Sequence, residues 1–547
     1  MGTAADLIDS EPEKTSQVSG QDSPTAKDGA PTPTYDGAAL DEFGNIADQD
    51  KADMQRLGKK QEFKRNFSFI ATLGFVSIYT ATWEYVLVSL SAGFINGGFG
   101  GLFWVFIGTV ICYGTIVASL AEMESMAPTS GGQYHWVSEF APPKYQKFLS
   151  YSAGWMSTLG WLASFASSVF VVTTLIEAAI DVTNATYGFT SWQYTLIMLA
   201  FIVVTIGFNT VGAGILPMLE TVSLIGHGAG WLITLVALWV LCPRNSASDV
   251  FLSVVNNGGW ANTGTACLIS QVTVIYCNLG SDSIVHISEE VDNASLVVPR
   301  AMWWSYTVNA VLGIIILITM LFCIGNLDDV LNSDAPYLFL FTNTNSVGVA
   351  LLLTVILFLL IFSGNVTTLA TVSRELWAFS RDRGFPFSRW ISHMNRKYDI
   401  PFNAVYLSSF GTAVLCLINL GSTLAFNIIV SLSLLALMST YMISIGCVLL
   451  KRIKGEPLPH ARWSLGRFGI PINAFAFCYS AFIIVFSCFP VSYPATTSDA
   501  NWAPVVWIAV IIISLVLYVT HGRKYYTPPV IYVEGRRDPN VGLQATE

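Results

Sequence analysis

Long hydrophobic runs separated by short polar breaks fill most of this chain. The runs lie near 67–94, 99–124, 147–177, 192–210, 213–241, 264–284, 302–325, 347–373, 402–420, 423–449, 469–489 and 502–520. A stretch of about 18 apolar residues crosses a hydrocarbon core of about 30 Å. The pattern therefore predicts an all-α integral membrane protein with twelve transmembrane helices. Two of the runs are interrupted at their middles. The first breaks at Ser77-Ile78-Tyr79-Thr80-Ala81-Thr82-Trp83-Glu84, the sixth at Tyr276-Cys277-Asn278-Leu279-Gly280-Ser281-Asp282. Unwound backbone in a bilayer leaves N–H and C=O groups without partners, which is tolerable only inside protein or beside a cavity. The first and sixth helices are thus expected to be discontinuous. Paired breaks at corresponding places in two halves mark the binding site of a secondary transporter.

Composition agrees with this reading. The chain is 53% hydrophobic and 12% charged, whereas soluble domains carry about 25% charged residues. Lysine and arginine fall on alternate loops: with the N-terminus inside, 26 of the 27 basic residues are cytoplasmic and Arg244 alone is outside. Both termini are then cytoplasmic. Three parts follow: a disordered cytoplasmic N-terminal tail over 1–66, a transporter domain over 67–520 and a cytoplasmic C-terminal tail over 521–547. The basic stretch Lys51–Arg65 lies where it would meet anionic lipid. The nine cysteines show no metal-type spacing and read as small buried apolar residues, with a Cys242–Cys267 bridge as the alternative. Asn184-Ala185-Thr186 is a glycosylation sequon on a predicted outer loop.

The breaks also carry the candidate chemistry. Free N–H groups at a half-helix N-terminus favour an anion, so a substrate carboxylate is expected against Thr80, Ala81 and Thr82. Glu84 is an ionisable residue within a span, which normally faces a cavity or a partner. It either attracts an amine, exchanges a proton, or is a protonated structural acid. Tyr79, Trp83, Tyr85 and Tyr276 offer aromatic faces to an ammonium group or serve as gates, with Cys277 and Asn278 beside them. Gly280 permits a sharp turn, and Asp282 is expected to cap the second half-helix. Glu289, Glu290 and Arg300 stand near the inner mouth as candidates for a salt bridge. His227, deep in the fifth span, is a second candidate for proton coupling beside Glu84, because histidine titrates near physiological pH.

Three further stretches share a pattern. Pro128-Thr129-Ser130-Gly131-Gly132-Gln133-Tyr134-His135-Trp136 follows the second span. Gly280 to Glu290 continues through Asn293-Ala294 to Pro299-Arg300. Ser373-Arg374-Glu375 leads through Phe379 to Pro386. In order and spacing they resemble the amino acid–polyamine–organocation permease superfamily, over roughly residues 60–520. The Thr82-Trp83-Glu84 triplet is similar to the fungal amino acid, GABA and choline permeases. The resemblance implies a five-plus-five inverted repeat with two extra helices. It also implies that helices 3 and 8 line the same cavity and that helix 5 touches the ion-coupling region. Some bacterial relatives place a lysine on that fifth helix, but no lysine occurs between Lys147 and Lys397 here.

The expected function is a permease importing amino acids or related nitrogen compounds such as GABA by alternating access, with protons as the driving ion. The alternatives are a choline, quaternary amine or polyamine permease, or a nutrient sensor of the same fold. Zinc-protease and phosphate-loop motifs are absent from the sequence, so no enzyme, cofactor, metal or nucleic-acid partner is expected. The partners are a small amino acid or amine, protons and the lipid bilayer. The plasma membrane is the first address, the vacuolar membrane the second.

Overall fold

A computed structural model describes residues 46–184, 187–332, 336–421, 424–497 and 499–533. The expected disorder of residues 1–45, the last residues of the C-terminal tail and two residues of the 184–186 sequon lie outside the described residues.

Among the described residues no named strand occurs; two isolated bridges pair Phe67 with Val291 and Asn395 with Ile400. In chain order the helices are α1 (Ile46–Arg56), α2 (Phe69–Thr80), α3 (Thr82–Ser89), α4 (Ser91–Met126), α5 (Gly132–Phe140), α6 (Gln146–Asp181), α7 (Ser191–Asn209) and α8 (Leu216–Leu241). Then come α9 (Ala247–Leu252), α10 (Thr263–Tyr276), a 3-10 stretch over Ser283–Glu290, α11 (Ala294–Cys323), α12 (Leu327–Leu331), α13 (Pro336–Thr342) and α14 (Val347–Arg381). The last are α15 (Ser388–Ile391), α16 (Phe402–Cys416), α17 (Ala425–Ile453), α18 (Gly469–Phe486), α19 (Ala503–Leu517) and α20 (Arg523–Tyr525). Among the described residues ten helical segments, some of them lengthened by short 3-10 or π turns, are long and apolar enough to cross a membrane.

Helices in an apolar solvent gain little from hydrophobic burial and associate through close packing, which favours small residues at contacts. Gly74 of α2 lies against the Glu220 carbonyl of α8, 2.6 Å from where a β-carbon would stand. Gly154 and Gly160 of α6 receive the Phe379 ring of α14 and the Leu437 side chain of α17. These glycines let α6 sit between α14 and α17, and α17 is almost wholly buried along its span.

The N-terminal segment departs from expectation. Residues 46–66 are not disordered: α1 forms and docks under the bundle. Met54, Leu57 and Phe63 are buried, anchoring a segment whose composition is otherwise polar. Asp50 accepts from the N–H groups of Asn293 (2.8 Å) and Ala294 (3.1 Å), so it supplies the missing acceptor at the start of α11. Arg56 pairs with Glu139 of α5 at 3.0 Å, and Lys59 pairs with Asp382 just beyond α14. Order here comes from long-range charge matching, which composition alone does not reveal.

Candidate functional site

The first hydrophobic run is two helices. α2 stops at Thr80, Ala81 adopts a left-handed conformation (φ 40°), and α3 starts at Thr82 with no capping side chain. α10 likewise ends at Tyr276; Gly280 then turns at φ +91°, and the chain resumes as the 3-10 stretch. The two interruptions face each other, with the Tyr79 ring packed where a Gly280 side chain would be.

Between them lies a small cavity lined by Tyr79, Thr80, Tyr85, Tyr276 and Leu279, by Ser164, Ser167 and Ser168 of α6, and by Thr368 of α14. It has about 20 Å³ of space for water centres, little more than one water requires. Its roof is aromatic. Tyr85 meets Tyr276 at 5.2 Å between ring centroids, and Tyr276 meets Phe426 at 5.7 Å. The Tyr276 hydroxyl donates to Ser167 (2.9 Å), fixing the ring across the opening. Beyond the rings is a second cavity of about 130 Å³, lined by Phe170, Thr174, Pro336, Tyr337 and Phe426 among others. Below, Tyr79 packs edge-on against Trp161, which in turn meets His286.

The sequence-predicted residues divide. Tyr79, Thr80 and Tyr276 line the cavity, while Ala81 and Gly280 make its turns. Thr82, Trp83 and Glu84 point elsewhere. The Thr82 N–H donates to Asn309 Oδ1 of α11 at 3.3 Å. Trp83 and Glu84 face α8, where Glu84 Oε1 is 2.7 Å and Trp83 Nε1 is 3.1 Å from the same His227 Nδ1. Cys277 contacts Ser89 (3.2 Å), and Asn278 donates back to the Val274 carbonyl; neither is among the lining residues. Asp282 does not cap the following turn with its side chain. Instead it accepts from Tyr441 of α17 (2.5 Å) and Gln133 of α5, tying three elements together. The serines of α6 are absent from the residue-level prediction. Ser164, Ser167 and Ser168 recur at helical spacing on one face, a signal the sequence does carry.

A family profile described as amino acid permease matches residues 67–512. The chain belongs to the amino acid permease family. This permease is 27% identical to amino-acid permease 2 of Neurospora crassa, over 97% of its own length and 98% of that protein's. The choline transporter of Saccharomyces cerevisiae is 28% identical, covering 89% of this chain and 86% of its own. The GABA-specific permease of the same yeast is also 28% identical, with 87% and 85% covered. Among solved structures, a manganese transporter of Eremococcus coleocola superposes with a TM-score of 0.50 at 11% identity, over 84% of this chain and 95% of that one. That likeness concerns fold alone. The permease is an integral, multi-pass membrane protein.

At the other end of the 3-10 stretch, ion pairs tie it to α14. Glu289 accepts two bonds from the Arg381 guanidinium (2.9 and 2.8 Å), and Arg374 donates to Glu290 at 2.9 Å. Arg300, expected beside them, takes no part in these pairs. Asp382 receives Lys59 and the Tyr134 hydroxyl (2.9 Å). Burial pulls the Lys59 ammonium below its ordinary value, with Asp382 opposing the shift. Burial likewise lowers His135, while Glu139 is held below the usual carboxylate range: His135 and Arg56 outweigh the opposite effect of burial.

The C-terminal segment joins this cluster of contacts. The Thr527 N–H donates to the Asp382 carbonyl (3.1 Å) and the Val530 N–H to Ser138 (3.0 Å). Tyr526 and Ser150 share a hydroxyl bond of 2.6 Å. Gly58, at φ +63°, lies directly on Tyr532, so the two ends of the described chain meet.

Proposed function

We propose that this permease moves a small zwitterionic or cationic nitrogen compound, an amino acid or GABA first, by alternating access. The observation that carries the reading is the cavity held between two interrupted helices, in a chain of the amino acid permease family. Ala81 offers α3 no side-chain cap, and with the Thr82 N–H taken by Asn309 the next N–H groups of the first turn are suited to a carboxylate. The α6 serines and Thr368 supply further polar contacts. Tyr85, Tyr276 and Phe426 act as the outer shutter, and the ion pairs beneath as the inner one. Counting α2 with α3, and α10 with its 3-10 continuation, beside ten long helices gives twelve spans. That count supports a five-plus-five inverted repeat with two extra helices. The basic-residue pattern supports cytoplasmic termini, and the plasma membrane is the proposed address.

One observation favours choline or another quaternary amine as the second reading. The cavity lining holds three tyrosine rings and no carboxylate, which suits cation–π contact.

Protons are the proposed coupling ion, and the Glu84–His227 pair is where they act. His227 Nδ1 has one lone pair or one proton. When it carries the proton it donates to ionised Glu84; when it does not, it accepts from Trp83 instead. A proton arriving at this pair therefore changes the hold on Trp83, two residues from the Ala81 turn.

The test is uptake of labelled GABA in transporter-deficient yeast, competed with amino acids, choline and putrescine. Saturable uptake blocked by amino acids and not by choline is the expected result. Labelled choline uptake insensitive to amino acids would replace it with the second reading. Ligand binding without flux, by protein shown to reach the membrane, would make this a sensor.

A further inference from the structure

α8 and α11 run side by side and end at the same face, each with a cysteine at its last turn. Cys242 is the residue that terminates α8, and Cys323 is the last residue of α11. Both converge on one carbonyl: Leu238 O accepts the Cys242 N–H at 3.1 Å and the Cys323 thiol at 3.6 Å. The two thiols are near enough to interact with each other. Their positions are set by neighbours that do not depend on sulfur. The Asn245 N–H donates to Phe322 O (2.7 Å), and its side-chain amide donates to Leu321 O (2.9 Å) and Gly325 O (2.8 Å). Trp239 Nε1 donates to Thr319 at 2.9 Å. The bridge considered from sequence, Cys242 with Cys267, does not fit this arrangement, because Cys267 packs against Gly101 of α4.

We propose that Cys242 and Cys323 form a disulfide in the mature protein, pinning the outer ends of α8 and α11 together beneath α13. The bond rests on the orientation proposed above, which places this face in an oxidising compartment. The oxidant is a disulfide, carried by a protein or a small thiol. The Cys242 thiolate, the less buried of the two, attacks one sulfur of that disulfide and expels the other as a thiol. The Cys323 thiolate then attacks the Cys242 sulfur and expels the second thiol. Two protein thiols are oxidised, one disulfide is reduced to two thiols, and the protons pass to the departing sulfurs. The site has a mechanical role. The Cys242 sulfur lies 3.9 Å from Leu340 O in α13, and the same helix contributes Pro336 and Tyr337 to the 130 Å³ outer cavity. A bond here fixes the platform on which that cover rests.

The full chain, expressed through the secretory pathway, is alkylated with N-ethylmaleimide, digested without reductant and read by mass spectrometry. The expected result is one linked species joining the peptides of Cys242 and Cys323, lost on reduction. Reduction, Cys242→Ser, Cys323→Ser and the double variant should all lower Tm by the same amount. Recovery of both cysteines in the alkylated form, or additive Tm shifts, would overturn the proposal. An epitope at the N-terminus separates the two readings. Detection only after permeabilisation with free thiols rejects the disulfide alone; detection on intact cells rejects the orientation beneath it.

Discussion

Gly280→Ala tests whether the two interruptions are held together by the Tyr79 ring. Two separate costs arise at this position. Gly280 sits at φ +91°, a conformation L-residues avoid at about 1–2 kcal/mol. A β-carbon there would stand 2.6 Å from Tyr79 Cδ1 and 2.8 Å from Cζ, and closer still to Cε1, so the ring must move. Overpacking of this kind costs about 1–3 kcal/mol. The single variant should therefore lose about 2–5 kcal/mol of stability. The overpacking component belongs to Tyr79 and disappears in a Tyr79→Ala background, where Gly280→Ala should cost only about 1–2 kcal/mol. Thermal unfolding of the four purified proteins in detergent closes the cycle, and uptake shows whether the displaced ring spoils transport. An equal cost of Gly280→Ala in both backgrounds would refute the reasoning, since the ring would then not be what the glycine accommodates.

The remaining predictions concern charge and polar contacts. Arg381→Ala should cost about 3–5 kcal/mol because it leaves Glu289 buried without its partner; Glu289→Gln in the same chain should recover part of that in the same melt. Asp50→Ala removes the acceptor at the start of α11 and should cost about 0.5–2 kcal/mol, read as lost hydrogen-exchange protection over residues 293–297. His135 and Glu139 should each weaken the docking of α1 in acid, against the Asp50 and Glu62 carboxyls, which burial raises and which favour the docked state as pH falls. Below about pH 6.5 a released His135 binds a proton that the docked one refuses, and the contribution of Glu139 is lost as pH falls below about 4.5 and through its lowered value. These two shifts have the same sign, so His135→Gln should remove part of the acid-side loss of protection over 46–66; a pH profile identical to that of the parent protein would contradict the His135 contribution. His227→Ala should flatten the pH dependence of uptake; an unchanged profile would remove the pair from the coupling step.

Where the helices break was legible in the sequence, because Ser77–Glu84 and Tyr276–Asp282 interrupt apolar runs that otherwise need no polar residue. Which side chains face the cavity was not. Successive helical residues turn by about 100°, so Thr82, Trp83 and Glu84 cannot all look the same way. Asn309 of α11 and His227 of α8 decide that these three residues are buried against those helices and not turned to the cavity. Asp282 has the residue type and place of a cap, yet Tyr441 and Gln133 approach from distant parts of the chain and take it. The order of residues 46–66 was hidden for a similar reason: Arg56 and Lys59 find their partners in α5 and beside α14, and a polar segment gives no sign of such matches. The α6 serines, by contrast, follow helical spacing and could have been assigned to one wall.

The meeting of Gly58 with Tyr532 gives the molecule an external handle on its own cycle. Both contacting segments also grip Asp382, just beyond the helix whose Arg381 holds Glu289. If the mouth opens there, the two chain ends separate together. Small fluorophores attached on either side of this junction would act as a distance gauge for turnover, without touching the cavity or any membrane-buried residue.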